Sequence, residues 1–255
     1  MQKSSDIIDI RVRNLSKEFV TGRGVLKVID DLSFDVRRGG LVALIGPSGC
    51  GKSTLLRILA DSDQVTTGEY TIDNERGSRM ASIEQRPALF PWRTALQNAS
   101  LGAEVRRGIV SRAVDRRIRE NFISFGLKGF EESYPVQLSG GMQQRVAIIR
   151  ALESEPHVLF CDEPFSAIDF VTRLSLNTQF KRISRELGCT TLFVTHNIEE
   201  AIFLGSRIIV LSRRPCVIVD DFEPHLSQFP EDAVKCRQSP EFSGYFARIW
   251  ERLAA

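Results

Sequence analysis

An α/β fold with a mainly parallel sheet is the class this sequence predicts. Short, continuous apolar runs recur along the 255-residue chain, and stretches with helical periodicity lie between them. Several of those runs end in residues that carry chemistry, and parallel sheets place their ligands at the carboxyl ends of their strands.

The first run, LVALIG from Leu41 to Gly46, reads as a buried strand entering a glycine loop, and LLRILA behind the loop reads as a helix. From about Pro87 to Arg150 β-branched runs are scarce. There EVRRGIVSRAVDRRIRENF, Glu104 to Phe122, is helical in pattern, with six arginines against three acids. Interleaved acids favour a solvated helix face over a nucleic-acid surface. This segment is expected to form a helical subdomain of about 87–150, inserted in a single domain whose core spans about 1–86 and 151–255. HVLFCDEP then supplies a buried strand ending in two carboxylates, TLFVTH one ending in a histidine, and RIIVLS a fourth. Leu176, Phe180, Ile183 and Leu187 recur at intervals of four, three and four residues, with Gly188 as a C-cap. In the last segment Phe242, Tyr245, Phe246, Ile249, Trp250 and Leu253 have helical spacing. That stripe is read as docking on its own core, with Ser239 and Pro240 as N-cap and first turn.

Bulk properties limit the function. Apolar content of 42% and charged content of 26% are ordinary for a globular protein, and with a net charge of +2 nothing in the overall balance demands nucleic acid or an acidic membrane surface. Five widely spaced cysteines without a C-x-x-C pair point to a reduced compartment. The three histidines make no zinc-ligand spacing with them. The N-terminal stretch has no apolar run of signal-peptide length, and no stretch approaches the roughly 18 apolar residues of a membrane span.

The strongest chemical motif is GPSGCGKST, with Gly46, Pro47, Ser48, Gly49, Cys50, Gly51, Lys52, Ser53 and Thr54. Its glycines let the backbone curl so that successive N–H groups face phosphates. Lys52 reaches the outer phosphates, and the Ser53 hydroxyl is a Mg²⁺ ligand. Asp162 and Glu163 are adjacent at a strand end, so their side chains diverge and cannot share a task. The natural division gives Asp162 to the Mg²⁺ shell and Glu163 to the attacking water. His196 ends a strand on the same edge and is read as a γ-phosphate contact. Gln85 could bridge Mg²⁺ and the water, and Phe19 could stack on a base or cover the core. LSGGMQQR, Leu138 to Arg145, looks like a second anion cradle.

Together these residues resemble the ATP-binding subunits of ABC transporters, and the resemblance covers nearly the whole chain in order. GPSGCGKST is similar to the Walker A loop, LSGGMQQR to the ABC signature, VLFCDEP to the Walker B strand and SAID, Ser166 to Asp169, to the D-loop. Gln85 is similar to the Q-loop glutamine, His196 to the switch histidine and Phe19 to the aromatic that stacks on adenine. PALFPWRTALQN and THNIEEAIFLGSRIIVLSRRP resemble the nitrate, sulfonate and taurine importers within that family. Asp61, Gly40 and Glu84 depart from the family pattern.

The resemblance implies a RecA-like P-loop NTPase fold with an antiparallel β region, and ATP and Mg²⁺ as cofactors. It also implies a homodimer, or a dimer with a related ATPase, in which Ser139, Gly140 and Gly141 of one subunit hold the γ-phosphate of ATP seated on the loop of the other, with Asp169 nearby. The implied partners are transmembrane permease subunits, met near Leu89, Phe90, Pro91 and Trp92, and indirectly an extracytoplasmic solute-binding protein. The implied location is the cytoplasmic face of the cell membrane. A soluble ABC-type ATPase is the alternative. A P-loop kinase or GTPase explains Lys52 and Ser53 but not LSGGMQQR.

Overall fold

The computed structural model of the chain describes residues 7–22, 24–73, 79–108 and 110–254. The first six residues of the N-terminal stretch, and Ile109 and Ala255 of the two helical stretches, lie outside them. In chain order the first elements are β1 (Ile8–Thr21), β2 (Gly24–Arg37), β3 (Leu41–Ile45), α1 (Lys52–Leu59), β4 (Thr67–Ile72), β5 (Met80–Ile83), α2 (Ala95–Arg107) and α3 (Arg112–Ser124). They are followed by α4 (Gly140–Glu153), β6 (Val158–Asp162), α5 (Phe170–Leu187), β7 (Thr190–Thr195), α6 (Ile198–Leu204), β8 (Arg207–Leu211), β9 (Ile218–Phe222) and α7 (Phe242–Ala254). The chain divides into two compact units, Met1–Ser78 with Thr190–Ala255, and Arg79–Cys189.

In the first unit β7, β3 and β8 run parallel, and β9 closes the edge antiparallel to β8. β3 and β7 are buried almost throughout, which is why β3 and the Leu192–Val194 centre of β7 read as continuous apolar runs and not as alternating ones. Leu55, Leu56, Ile58 and Leu59 of α1 and Ala201, Ile202, Phe203 and Leu204 of α6 supply the covering layer. Each fully buried Leu, Ile or Phe contributes about 1.5–3 kcal/mol. A separate antiparallel sheet has the order β2-β1-β4. Asp61 sits after α1 with a φ of 58°, and its N–H and that of Ser62 bond back to the Ile58 and Arg57 carbonyls at 3.0 and 2.8 Å. This is a Schellman turn, whose left-handed position ordinarily takes glycine. Asp is one of the few side chains that tolerate it.

In the second unit β5 and β6 are parallel neighbours. Thr94 caps α2 in a capping box with Gln97. Helices α2 and α4 approach so closely that a Cβ on Gly102 would lie 2.1 Å from the Arg150 carbonyl oxygen. Phe165 meets Phe180 edge-on, with centroids 5.6 Å apart, and Leu176, Phe180 and Ile183 form the buried side of α5. Gly188 ends that helix in the left-handed conformation the sequence calls for.

Two expectations need correction. The arginine-rich stretch is not one helix: Gly108 ends α2 with a φ of 75°, and the Ser111 side chain caps α3. Nor is its cationic face simply solvated, because Arg117 pairs with Glu153 at 2.6 Å and Arg106 pairs with Glu155. At the C-terminus α7 starts at Phe242, after a turn, and the Ser239 hydroxyl bonds the Glu241 carboxylate without capping the helix. Phe242 and Ile249 are buried. Phe246 and Trp250 are exposed and stack on each other at 6.5 Å.

Candidate functional site

Three chain segments leave the carboxyl edge of the first unit's sheet side by side. Ile45 pairs in register with Thr195 and with Val210, so the residues that follow each strand emerge together: the glycine loop after β3, His196 after β7 and the turn 212–217 after β8. In the loop, Gly51 has a φ of 133°, and a Cβ there would sit 3.1 Å from a Val28 methyl, so the curl excludes other residues. Lys52 is buried, and its ammonium donates to the Gly46 and Pro47 carbonyls at 2.7 and 2.8 Å. Ser48, Gly49 and Ser53 are exposed around it. A buried cation balanced by carbonyl dipoles, at a helix N-terminus and beside exposed backbone, fits a polyanion such as the phosphates of a nucleotide.

His196 is exposed at its strand end. Its neighbours hold the corner: the Thr195 hydroxyl donates to Glu200 at 2.6 Å and accepts from the Asn197 N–H at 3.0 Å, while the Asn197 side chain caps α6. Phe19 is half-buried on β1 under the Lys17 ammonium, 4.7 Å from its ring centroid. Arg214, which sequence reasoning passed over, donates to the Gly49 carbonyl at 2.7 Å. Only the register of β8 against β3 brings it there, and local pattern carries no such signal.

In the second unit Ile83 pairs with Cys161, so Gln85 and the acids Asp162 and Glu163 also leave neighbouring parallel strands at one edge. The Gln85 amide donates to the Glu163 carboxylate at 3.3 Å. Glu163 has a φ of 47°, an uncommon backbone state for a non-glycine residue. The following turn is held by the N–H and hydroxyl of Ser166, both bonding the Glu163 carbonyl. Asp162 is buried.

The Ser139 side chain caps α4 by accepting from the Met142 N–H at 3.3 Å. Ser139 and Gly140 are exposed, and a Cβ on Gly140 would meet nothing within 4 Å, whereas one on Gly141 would lie 3.1 Å from the Ala167 carbonyl. Asp169 caps α5, and the backbone N–H and hydroxyl of Thr172 hold its carboxyl below the usual range.

The model of the ABC transporter family matches residues 29–166, more than half of the chain. The chain belongs to the ABC transporter family. Among family members it is 38% identical over 247 residues to an uncharacterised ABC transporter ATP-binding protein of Methanocaldococcus jannaschii, covering 95% of this chain and 90% of the relative. It is 40% identical to the aliphatic sulfonates import ATP-binding protein SsuB of Bacillus thuringiensis, over 86% of this chain and 87% of that one. The nitrate import ATP-binding protein NrtD of Synechocystis is 35% identical, over 94% and 93%. A solved ABC cassette, a dimer in a post-hydrolysis state bound to ADP and Pi, superposes with a TM-score of 0.74 at 31% identity over 85% of this chain and 99% of that one. Like these ABC proteins the chain binds ATP and is an ATPase, with the α/β fold, mostly parallel sheet and antiparallel sheet the sequence implies. Among the described residues no helix is long and apolar enough to cross a membrane.

Proposed function

We propose that the chain is the ATP-hydrolysing subunit of an importer for a small anionic solute such as nitrate, a sulfonate or taurine. The observation that carries the hydrolytic half is the Gln85–Glu163 pair: a carboxylate in an uncommon backbone conformation, met by an amide donor at 3.3 Å. Glu163 takes a proton from the attacking water, and Gln85 orients that carboxylate and the water. Gly46 to Thr54 hold the phosphates through backbone N–H groups and Lys52, His196 contacts the γ-phosphate, and Phe19 stacks on the adenine. Ser53, Asp162 and Gln85 would hold Mg²⁺, which neutralises phosphate charge when bound. The names of the sulfonate and nitrate relatives support the importer reading.

Ser139, Gly140 and Gly141 complete the site of a second copy or of a related ATPase, with Asp169 beside the shared contact. The exposed cap and the open space at Gly140 support this division. Closure on ATP and reopening after hydrolysis drive separate permease subunits, placing the chain on the cytoplasmic face of the membrane. The segment of about 87–150 is the helical subdomain that meets them. Phe90 and Trp92, exposed and 5.0 Å apart, offer the contact beside Leu89 and Pro91. An extracytoplasmic binding protein delivers the solute.

Mixing two inactive chains tests the shared site. Ser139→Arg and Lys52→Ala proteins, each without ATPase activity, regain part of it when combined, because one composite site is intact in the mixed dimer. No recovery in a mixture shown to contain mixed dimers would overturn the shared site. Co-purification of a permease in detergent, with solute-stimulated hydrolysis in vesicles, separates the importer from a soluble ATPase.

A further inference from the structure

Two cysteines meet at the phosphate loop. Cys50 lies inside it, and Cys216 lies in the turn that follows β8; both are free thiols and buried. Each thiol shifts the other's ionisation, Cys50 downward and Cys216 upward. A Cβ on the intervening Gly51 would lie 3.4 Å from the Cβ of Cys216, which shows how closely the two backbones run. Cys216 is anchored from behind: its N–H donates to the Val28 carbonyl at 2.9 Å, and its carbonyl accepts from the Asp30 N–H at 3.0 Å. Cys50 belongs to the glycine loop, and its sulfur lies 3.9 Å from the Lys52 ammonium. Ser48 and Gly49, one or two residues away, are exposed, while Cys50 itself is 2% exposed.

We propose that Cys50 and Cys216 form a dithiol modification site, oxidised by small hydroperoxides to a disulfide that pins the phosphate loop to the turn 212–217 and weakens ATP binding. Contact with the Cys216 thiol, aided by the Lys52 ammonium, holds the Cys50 thiol below its ordinary value against the effect of burial, which makes Cys50 the attacking sulfur. The Cys50 thiolate attacks the peroxide: an S–O bond forms, the O–O bond breaks, and the leaving alkoxide or hydroxide takes up a proton. The Cys216 thiol then gives up its proton, and its sulfur attacks Cys50; the S–S bond forms, the S–O bond breaks, and hydroxide leaves as water. Two thiols have lost two electrons in all, and the peroxide has been reduced to an alcohol, or water, plus water. A disulfide draws the sulfurs to about 2.05 Å, and that pull falls on the loop, since Cys216 is the anchored partner.

The inference rests on reading Gly46 to Thr54 as the nucleotide loop, and its first readout needs no nucleotide. Purified full-length protein is treated with graded hydrogen peroxide, its remaining thiols are alkylated, and the peptides are mapped by mass. A Cys50–Cys216 peptide pair, lighter by two hydrogens and split by dithiothreitol, is expected at doses that leave the circular dichroism unchanged. Affinity for a fluorescent ATP analogue then falls at least tenfold and returns on reduction. Cys216→Ser binds the analogue as the reduced protein does, forms no such pair and shows no loss that dithiothreitol reverses. Absence of the pair at those doses, or a pair with less than a tenfold loss, overturns the proposal. A failure of the importer reading would leave both measurements untouched.

Discussion

The two glycine-containing helix starts, Gly51–Lys52 ahead of α1 and Ser139–Gly140 ahead of α4, look alike in sequence and differ in structure. At the first the backbone curls through a φ of 133° at Gly51, and the lysine ammonium is buried and folded back onto loop carbonyls. At the second a serine caps the helix, the glycine beside it faces open space, and the nearby cation, Arg145, donates to the Gly141 carbonyl at 3.2 Å from further along the helix. On the proposed reading the first is a nest that would wrap an anion from several sides. The second presents one face only, which suits the proposed role of finishing another copy's site. The difference lies in what surrounds each glycine and not in the glycines themselves.

Substitutions break or sharpen this contrast in a graded series. Glu163→Gln, which keeps shape and removes the base, is expected to lower the rate of ATP hydrolysis by about 10²–10⁴-fold with nucleotide binding intact; single-turnover kinetics and a binding titration check both halves. Gly102→Ala leaves both helix starts alone and forces a methyl into the α2–α4 crossing. It should cost about 3 kcal/mol, read as a lowered urea midpoint. Lys52→Ala removes the charge-assisted contacts to phosphate, about 1.5–3 kcal/mol, or roughly 10–100-fold in affinity. Ser139→Ala loses less than that in nucleotide affinity if the second cradle serves another copy's nucleotide. Equal losses at the two positions would dissolve the contrast. Thr94→Ala, which removes only a capping box, should cost about 1 kcal/mol of stability and leave hydrolysis unchanged.

The buried strands were legible because each is buried along most of its length and carries a continuous apolar centre, such as Leu192–Val194 in β7 and Val158–Cys161 in β6. The loop was legible because Gly46, Gly51, Lys52 and Ser53 stand at the fixed spacing that phosphate-binding loops require. The break between α2 and α3 was hidden, since a glycine inside a helical pattern can either be tolerated or end the helix. The 14-residue strands β1 and β2 escaped notice because register shifts interrupt their alternation. Arg214 and Cys216 were invisible as neighbours of the loop. Nothing local links positions 49–51 to 214–216; the in-register pairing of Ile45 with Val210 and the backbone bonds of Cys216 to Val28 and Asp30 bring them together.

The two aromatic stacks on the surface have a practical use. The chain has two tryptophans: Trp92, against Phe90, belongs to Arg79–Cys189, and Trp250, against Phe246, belongs to the unit formed by the two ends of the chain. Both are well exposed. Each unit thus carries its own fluorophore, and Trp92→Phe or Trp250→Phe leaves a single emitter. Nucleotide-induced changes in quenching can then be assigned to one unit at a time, with no foreign label attached.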